Sequence, residues 1–160
     1  MPWFVLYTKS RNEKQVAAKL KERGIEVYCP LTKTKRRWSD RTKWVEEPLF
    51  RSYCFVNLDE HERARVFGIP GIVRYLFWLN KPAVVRNDEI GAIKRLLNEF
   101  DHSQIRVESF SPNDRVTIGS GSFSDTTGSV IGQQGNQLAI LLDALQVVVR
   151  VDLIQTLVLS

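Results

Sequence analysis

The chain has 160 residues, 43% apolar and 26% charged, with a net charge of +5. Those proportions are ordinary for a folded chain, no run approaches the ~18 consecutive apolar residues of a membrane span, and no basic-then-apolar leader opens the sequence. A cytoplasmic protein without membrane contact is therefore expected, of one domain or two small ones.

Charge is unevenly spread. Residues 1–100 carry 20 Lys and Arg against 12 Asp and Glu, a net of +8, while residues 101–160 carry 3 against 6, a net of −3. A basic half joined to a mildly acidic half fits a region facing nucleic acid and another facing a different partner. Cys29 and Cys54 stand alone, so two buried small side chains are expected rather than a metal site or disulfide.

Residues 3–8, apolar and aromatic throughout, predict a central strand. Residues 11–23 predict a helix with Val16, Ala17 and Leu20 on its dry stripe, stopped by Gly24. Residues 25–30 return as a strand. Residues 31–47 then lose apolar periodicity and hold Lys33, Lys35, Arg36, Arg37, Arg41 and Lys43 with Trp38 and Trp44 interleaved. This segment is too polar to pack and reads as a hairpin or loop standing out from the domain. Its cations suit phosphate and its tryptophans suit stacking on unpaired bases. Trp44, nearest Pro48, is expected instead to anchor the hairpin back on the domain.

Residues 48–56 are the organising stretch, leading into a strand over 52–58. Tyr53, Phe55 and Asn57 share one strand face, and Cys54, Val56 and Leu58 the other. Both faces carry large apolar groups, so one is expected to meet the protein's own helices and the other a partner. A short helix over 59–67 capped by Asp59, a strand over 72–78, a turn at Asn80-Lys81-Pro82 and a short strand over 83–85 follow. Asn87 caps a helix to about residue 100, its stripe formed by Ile90, Ile93, Leu96, Leu97 and Phe100. Residues 101–110 read as a linker. Beyond it, short strands over 114–118, 128–132, 137–142, 147–151 and 154–159, with a Gly-first turn at Gly135-Asn136, predict a small barrel.

The expected fold is thus an α+β domain over residues 1–100, an antiparallel sheet flanked by helices, then a linker over 101–110 and an all-β barrel over 111–160. No nucleophile–base pair, metal spacing or phosphate-cradling glycine loop appears, so no enzyme, metal or cofactor is expected. His61 and His102 are expected to be exposed bystanders.

Three segments carry a resemblance. The opening Trp3-Phe4-Val5-Leu6-Tyr7-Thr8-Lys9, the run Pro48-Leu49-Phe50 leading into Tyr53-Cys54-Phe55-Val56, and Gly68-Ile69-Pro70-Gly71-Ile72-Val73 are similar to segments of the NusG transcription elongation factors. Asp114-Arg115-Val116, Gly121-Ser122-Phe123 and Gly128 resemble that family's KOW motif. The sequence departs from the family at Arg51-Ser52, where proline-glycine is usual, and at Asp125, where the KOW loop commonly has glycine. The short chain and tryptophan-bearing hairpin look more like the specialised, operon-specific branch, which includes RfaH-like and capsule-operon antiterminators.

The resemblance implies a monomeric elongation and antitermination factor docked on the clamp helices of bacterial RNA polymerase. It implies docking through Tyr53 and Phe55 beside Phe4, Leu6 and Phe77, with Arg63 and Arg65 near the opposite side of the polymerase cleft. Lys9, Arg11, Lys19 and Arg23 would meet the displaced non-template DNA strand, with Lys35, Arg36, Arg37 and Trp38 of the hairpin adding nucleic-acid contacts. Phe123 would serve the KOW domain, whose family partners are a small-subunit ribosomal protein or Rho. The β-branched run Val147-Val148-Val149 argues for a lasting barrel over refolding into helices. The alternative is a KOW-bearing ribosomal or RNA-binding protein with no polymerase contact.

Overall fold

The computed structural model describes residues 2–109 and 131–153. The chain divides into two compact units, Met1–Leu31 with Glu46–Asn87, and Thr32–Val45 with Asp88–Ser160.

The first unit is built on β1 (Trp3–Thr8), α1 (Glu13–Glu22), β2 (Glu26–Tyr28) and, after the hairpin strands β3 (Leu31–Arg37) and β4 (Thr42–Pro48), on β5 (Tyr53–Asn57). A 3-10 segment (Glu60–Val66) follows, then β6 (Ile72–Tyr75), β7 (Phe77–Trp78), β8 (Lys81–Pro82) and β9 (Val84–Val85). The main sheet runs β2-β5-β1-β6, with β9 also paired to β1, and every pairing is antiparallel. The apolar opening strand is central, as its sequence predicts.

Strand alternation divides the sheet's side chains cleanly. Phe4 and Leu6 of β1, Cys54 and Val56 of β5 and Tyr75 of β6 form one core with Val16 and Leu20 of α1, closed by Leu58, Val66 and Ile69. Burying such side chains stabilises by about 1.5–3 kcal/mol each. Gly24 ends α1 at φ +77°. Gly71, at φ +98°, lets the chain pass close to α1: a Cβ there would meet Val16 Cγ2 at 3.0 Å. Cys54 is buried and Cys29 half-buried, both as free thiols. Burial, with Glu13 nearby, pushes the Cys29 thiol up to about 11.

Several boundaries differ from expectation. The short helix expected over 59–67 is a 3-10 helix over Glu60–Val66, but Asp59 makes no side-chain cap; seven residues with four charged side chains supply little apolar surface to sustain α-helix. The strand expected over 72–78 breaks at Leu76, whose N–H bonds Val5 O while its carbonyl accepts from Ala83. The turn falls at Leu79-Asn80, both at positive φ, between Phe77↔Pro82 and Trp78↔Lys81. Proline fixes only its own φ near −65°, so Pro82 sits in β8 rather than in the turn.

The second unit contains α2 (Asn87–Glu99, its first residue assigned to the first unit), a 3-10 turn (His102–Gln104), β10 (Ile105–Ser109), β11 (Ile131–Gln134), β12 (Gln137–Leu142) and β13 (Val147–Asp152). Ile90, Ile93 and Leu96 are buried along the predicted stripe of α2. The four strands form an antiparallel sheet in the order β10-β13-β12-β11. Gly135, at φ +58°, opens the two-residue turn between β11 and β12, and Val147–Val149 lie in strand. Residues 102–109 are therefore not a linker. Ile105 and Val107 alternate with Arg106 and Glu108, a period of two that polarity masked. Arg106 faces Arg150 across the pair, and Glu108 accepts from Arg106 Nε at 2.9 Å and pairs with Arg150 Nε at 3.2 Å. Hydrogen bonding from Arg106 lowers the Glu108 pKa. The expected strands over 114–118 and 154–159, and Phe123 with the KOW-loop glycines, lie outside the described residues.

Among the described residues no helix is long and apolar enough to cross a membrane.

Candidate functional site

The face of the main sheet away from the α1 core carries the aromatics. The β1–β5 register pairs Tyr7 with Tyr53, Val5 with Phe55 and Trp3 with Asn57. Tyr7 and Tyr53 meet edge-to-face with ring centroids 5.8 Å apart, and the Arg74 guanidinium lies 6.0 Å from the Tyr7 ring. Tyr7 is 36% exposed and Tyr53 half-buried. Burial raises the Tyr53 hydroxyl pKa, as does neighbouring Tyr7, while Arg74 opposes the rise. Half-exposed amphipathic rings with a cation over one of them make a surface suited to protein contact.

Farther along the same face the aromatics are internal. Phe55 is fully buried, edge-on to Phe50 at 5.8 Å and stacked on Tyr28 at 6.4 Å. Phe55 therefore packs as core, and Tyr53 is the half-exposed member of that pair. Phe4 and Leu6 do not join them. An odd separation along β1 from Tyr7 and Val5 puts both on the opposite face, buried with α1. Phe77 stands on β7, 53% exposed, next to Trp78 and Leu79, which are also exposed.

The turn before β5 explains Arg51-Ser52. Ser52 sits at φ +68°, the left-handed region that glycine enters freely. Two bonds hold it there: Thr8 N–H donates to Ser52 O at 2.8 Å, and Ser52 N–H donates to Glu13 Oε2 at 2.7 Å. Glu13, in the first turn of α1, is 2% exposed, so this charge-assisted bond is made out of water. The loop geometry that glycine would give is thus kept by a buried carboxylate.

The basic residues divide into free-standing and committed ones. Lys9, Arg11 and Lys19 are exposed; Arg11 is held at φ +69°, and Lys9 N–H is tied to Gly71 O at 2.8 Å. Arg23, expected on DNA, instead donates through one guanidinium nitrogen to Arg65 O and Phe67 O, both at 3.0 Å. Arg65 returns a bond to Arg23 O and pairs with Glu62 at 3.1 Å. These two arginines tie the 3-10 segment to the end of α1. Arg63 lies over the Phe4 and Tyr75 rings at 5.8 and 5.7 Å. It also lines an open groove of about 400 Å³ with Phe67, Arg74, Tyr75 and Phe77. Asp59, His61 and Glu62 bring ligand atoms within 4.8 Å of one another. Exposed acidic groups gather this way without an ion, and nothing else there points to one.

The basic segment is a two-stranded ribbon, β3 against β4. Trp38 N–H donates to Arg41 O at 2.7 Å and closes the tip around Ser39-Asp40. Trp38 is 54% and Trp44 62% exposed. Trp44 is therefore not the expected anchor; the Lys35 ammonium covers one side of its ring at 5.2 Å. His102 is not a bystander. Its Nδ1 accepts from Lys33 N–H at 2.8 Å, so Nε2 carries the proton donated to Leu97 O at 2.6 Å.

Tyr7, Arg74, Glu13 and His102 were absent from the residues expected to matter. Tyr7 had a signal, its period-two alignment with Trp3 and Val5, but only the β1–β5 register sets it beside Tyr53. Glu13 and His102 act through contacts 39 and 69 residues away along the chain, which local pattern does not encode.

Comparison with known proteins meets this geometry from another side. Residues 1–94 match the family model described as "Transcription termination factor nusG". The "Transcription termination/antitermination protein NusG" of Thermus thermophilus is 26% identical over 148 residues, covering 80% of each chain. A solved structure titled "Domain interaction in Thermotoga maritima NusG" aligns with 95% of this chain and 93% of its own, at 18% identity and a TM-score of 0.43. The family match spans the main sheet, the turn backed by Glu13 and the tyrosine face, and the chain belongs to the NusG family of transcription factors.

Proposed function

We propose that the protein binds bacterial RNA polymerase during elongation, through its clamp helices, and suppresses pausing and termination at a restricted set of operons. The observation that carries this reading is the half-exposed Tyr7–Tyr53 pair beneath Arg74, on a sheet whose opposite face is filled by the protein's own core. Exposed tyrosines beside a guanidinium are the side chains that most often dominate protein interfaces. Phe77 and Arg63, on the groove beside β6, are the further candidates for polymerase contact.

Lys9, Arg11 and Lys19 are the cations free to follow the non-template strand, and the β3–β4 ribbon supplies Lys35, Arg36, Arg37 and Trp38 as a second nucleic-acid surface. Residues 1–100 act as the polymerase-facing domain and the part that follows, from β10 onward and with Phe123, as a domain recruiting a ribosomal protein or Rho. Family membership favours this reading over a ribosomal RNA-binding role. The operon-specific branch is favoured by the tryptophan-bearing ribbon and by Ser52 in place of glycine.

The test is transcription by purified bacterial polymerase through a pause and an intrinsic terminator. Added protein should shorten the pause and raise readthrough. Unchanged or increased termination would overturn the antitermination reading.

A further inference from the structure

The β3–β4 ribbon carries more information than its net charge. Each strand has seven residues, so the ribbon extends about 24 Å at the usual rise. From residue 35 to residue 44 every side chain is exposed. Residues 31–48 hold Lys33, Lys35, Arg36, Arg37, Arg41 and Lys43 against Asp40 at the tip and Glu46 and Glu47 at the base, so the outer part of the ribbon is the basic part.

These cations lie on both faces. Alternation along β3 sets Lys33, Lys35 and Arg37 on one side and Arg36 on the other. Lys35 over Trp44 fixes those two to the same side, which puts Lys43, the neighbour of Trp44, with Arg36. Arg41 stands at the closed tip. A surface made for a single strand needs cations along one side and open aromatic faces on which bases stack. Here one side of the Trp44 ring is already covered by an ammonium, and the charge is two-sided.

We infer that this ribbon enters the major groove of duplex DNA, a partner distinct from the single strand assigned to Lys9 and Arg11. The inference rests on the reading that the ribbon faces nucleic acid and specifies which form. A B-form major groove is about 12 Å wide, admits a two-stranded ribbon and is walled by phosphates on both sides, matching cations on both faces. The A-form major groove of duplex RNA is too deep and narrow for the same entry. The closed tip, and the His102 bond to the backbone of β3, hold the ribbon as a preformed element.

The experiment uses the full chain and fluorescence anisotropy with three probes: a mixed-sequence DNA duplex of two helical turns, the RNA duplex of the same sequence, and one DNA strand alone. The DNA duplex should bind tightest. The triple variant Lys35→Ala, Arg37→Ala, Lys43→Ala should lose about tenfold or more of that affinity, and its salt dependence between about 50 and 200 mM should flatten by a slope of about 2–3. Its thermal unfolding should match the parent, since all three side chains are exposed. Preference for the single strand would overturn the duplex assignment while leaving the ribbon a nucleic-acid surface. Preference for the RNA duplex would overturn groove entry into B-form DNA. Unchanged duplex binding by the triple variant would place the duplex contact elsewhere, and binding of none of the probes would remove the underlying reading as well.

Discussion

Ser52 shows how one residue can keep a loop that its side chain disfavours. A non-glycine residue in the left-handed region costs about 1–2 kcal/mol, and Glu13 offsets that by accepting the Ser52 N–H at 2.7 Å. Glu13→Ala should lower stability by about 2 kcal/mol, because it leaves a half-buried donor unpaired. Glu13→Gln, which keeps a carbonyl acceptor, should lose less than half of that. Chemical denaturation of the two variants checks the ordering, and equal losses would show that the carboxylate acts through packing alone. Lys9 and Arg11 belong to the same scale. Being exposed and without a structural carbonyl like those that hold Arg23, they should act on phosphate. Lys9→Ala with Arg11→Ala should flatten the salt dependence of single-stranded DNA binding by a slope of about 1–1.5; an unchanged slope would move the strand contact off this surface.

Elements with a strong period are legible in the sequence. The central β1, the dry stripe of α1, the buried stripe of α2 and the Gly135 turn follow from spacing and turn chemistry alone. The failures have physical causes. The 3-10 segment is too short and too charged for its capping signal to matter, and β10 hides its alternation under Arg106 and Glu108. Proximity to Pro48 predicts Trp44 as an anchor, whereas its ring stands 62% exposed on the ribbon beneath Lys35. The tyrosine face was half legible. Tyr53 stands out in the sequence, but its partner Tyr7 needs strand register, and Phe4 and Leu6, which the resemblance adds, are turned by alternation to the buried face. Rooting of the ribbon through His102 is likewise a tertiary event. His102→Ala removes two hydrogen bonds of about 0.5–1.5 kcal/mol each. Trypsin should then cleave near Lys33 and Lys35 several-fold faster than in the parent, and equal cleavage would show that the ribbon is held by its own strands.

On the scale of the whole molecule, the charge asymmetry between residues 1–100 and 101–160 was visible in the sequence. Its use becomes clearer from the folded cations. Arg23 and Arg65 are bonded to backbone carbonyls, so fewer cations stand unengaged than the count implies. The set of surface candidates is narrower too, since Phe55, Phe4 and Leu6 are internal while Tyr7, Tyr53, Arg74 and Phe77 remain at the surface. The account therefore stands on that small patch. Its most direct test is binding of purified RNA polymerase to immobilised parent protein and to Tyr53→Ala, with circular dichroism confirming that the variant keeps its fold. The account predicts that the parent retains polymerase and that the variant loses about tenfold or more of the affinity, as expected for a central aromatic anchor. Equal retention by a folded Tyr53→Ala protein would contradict it.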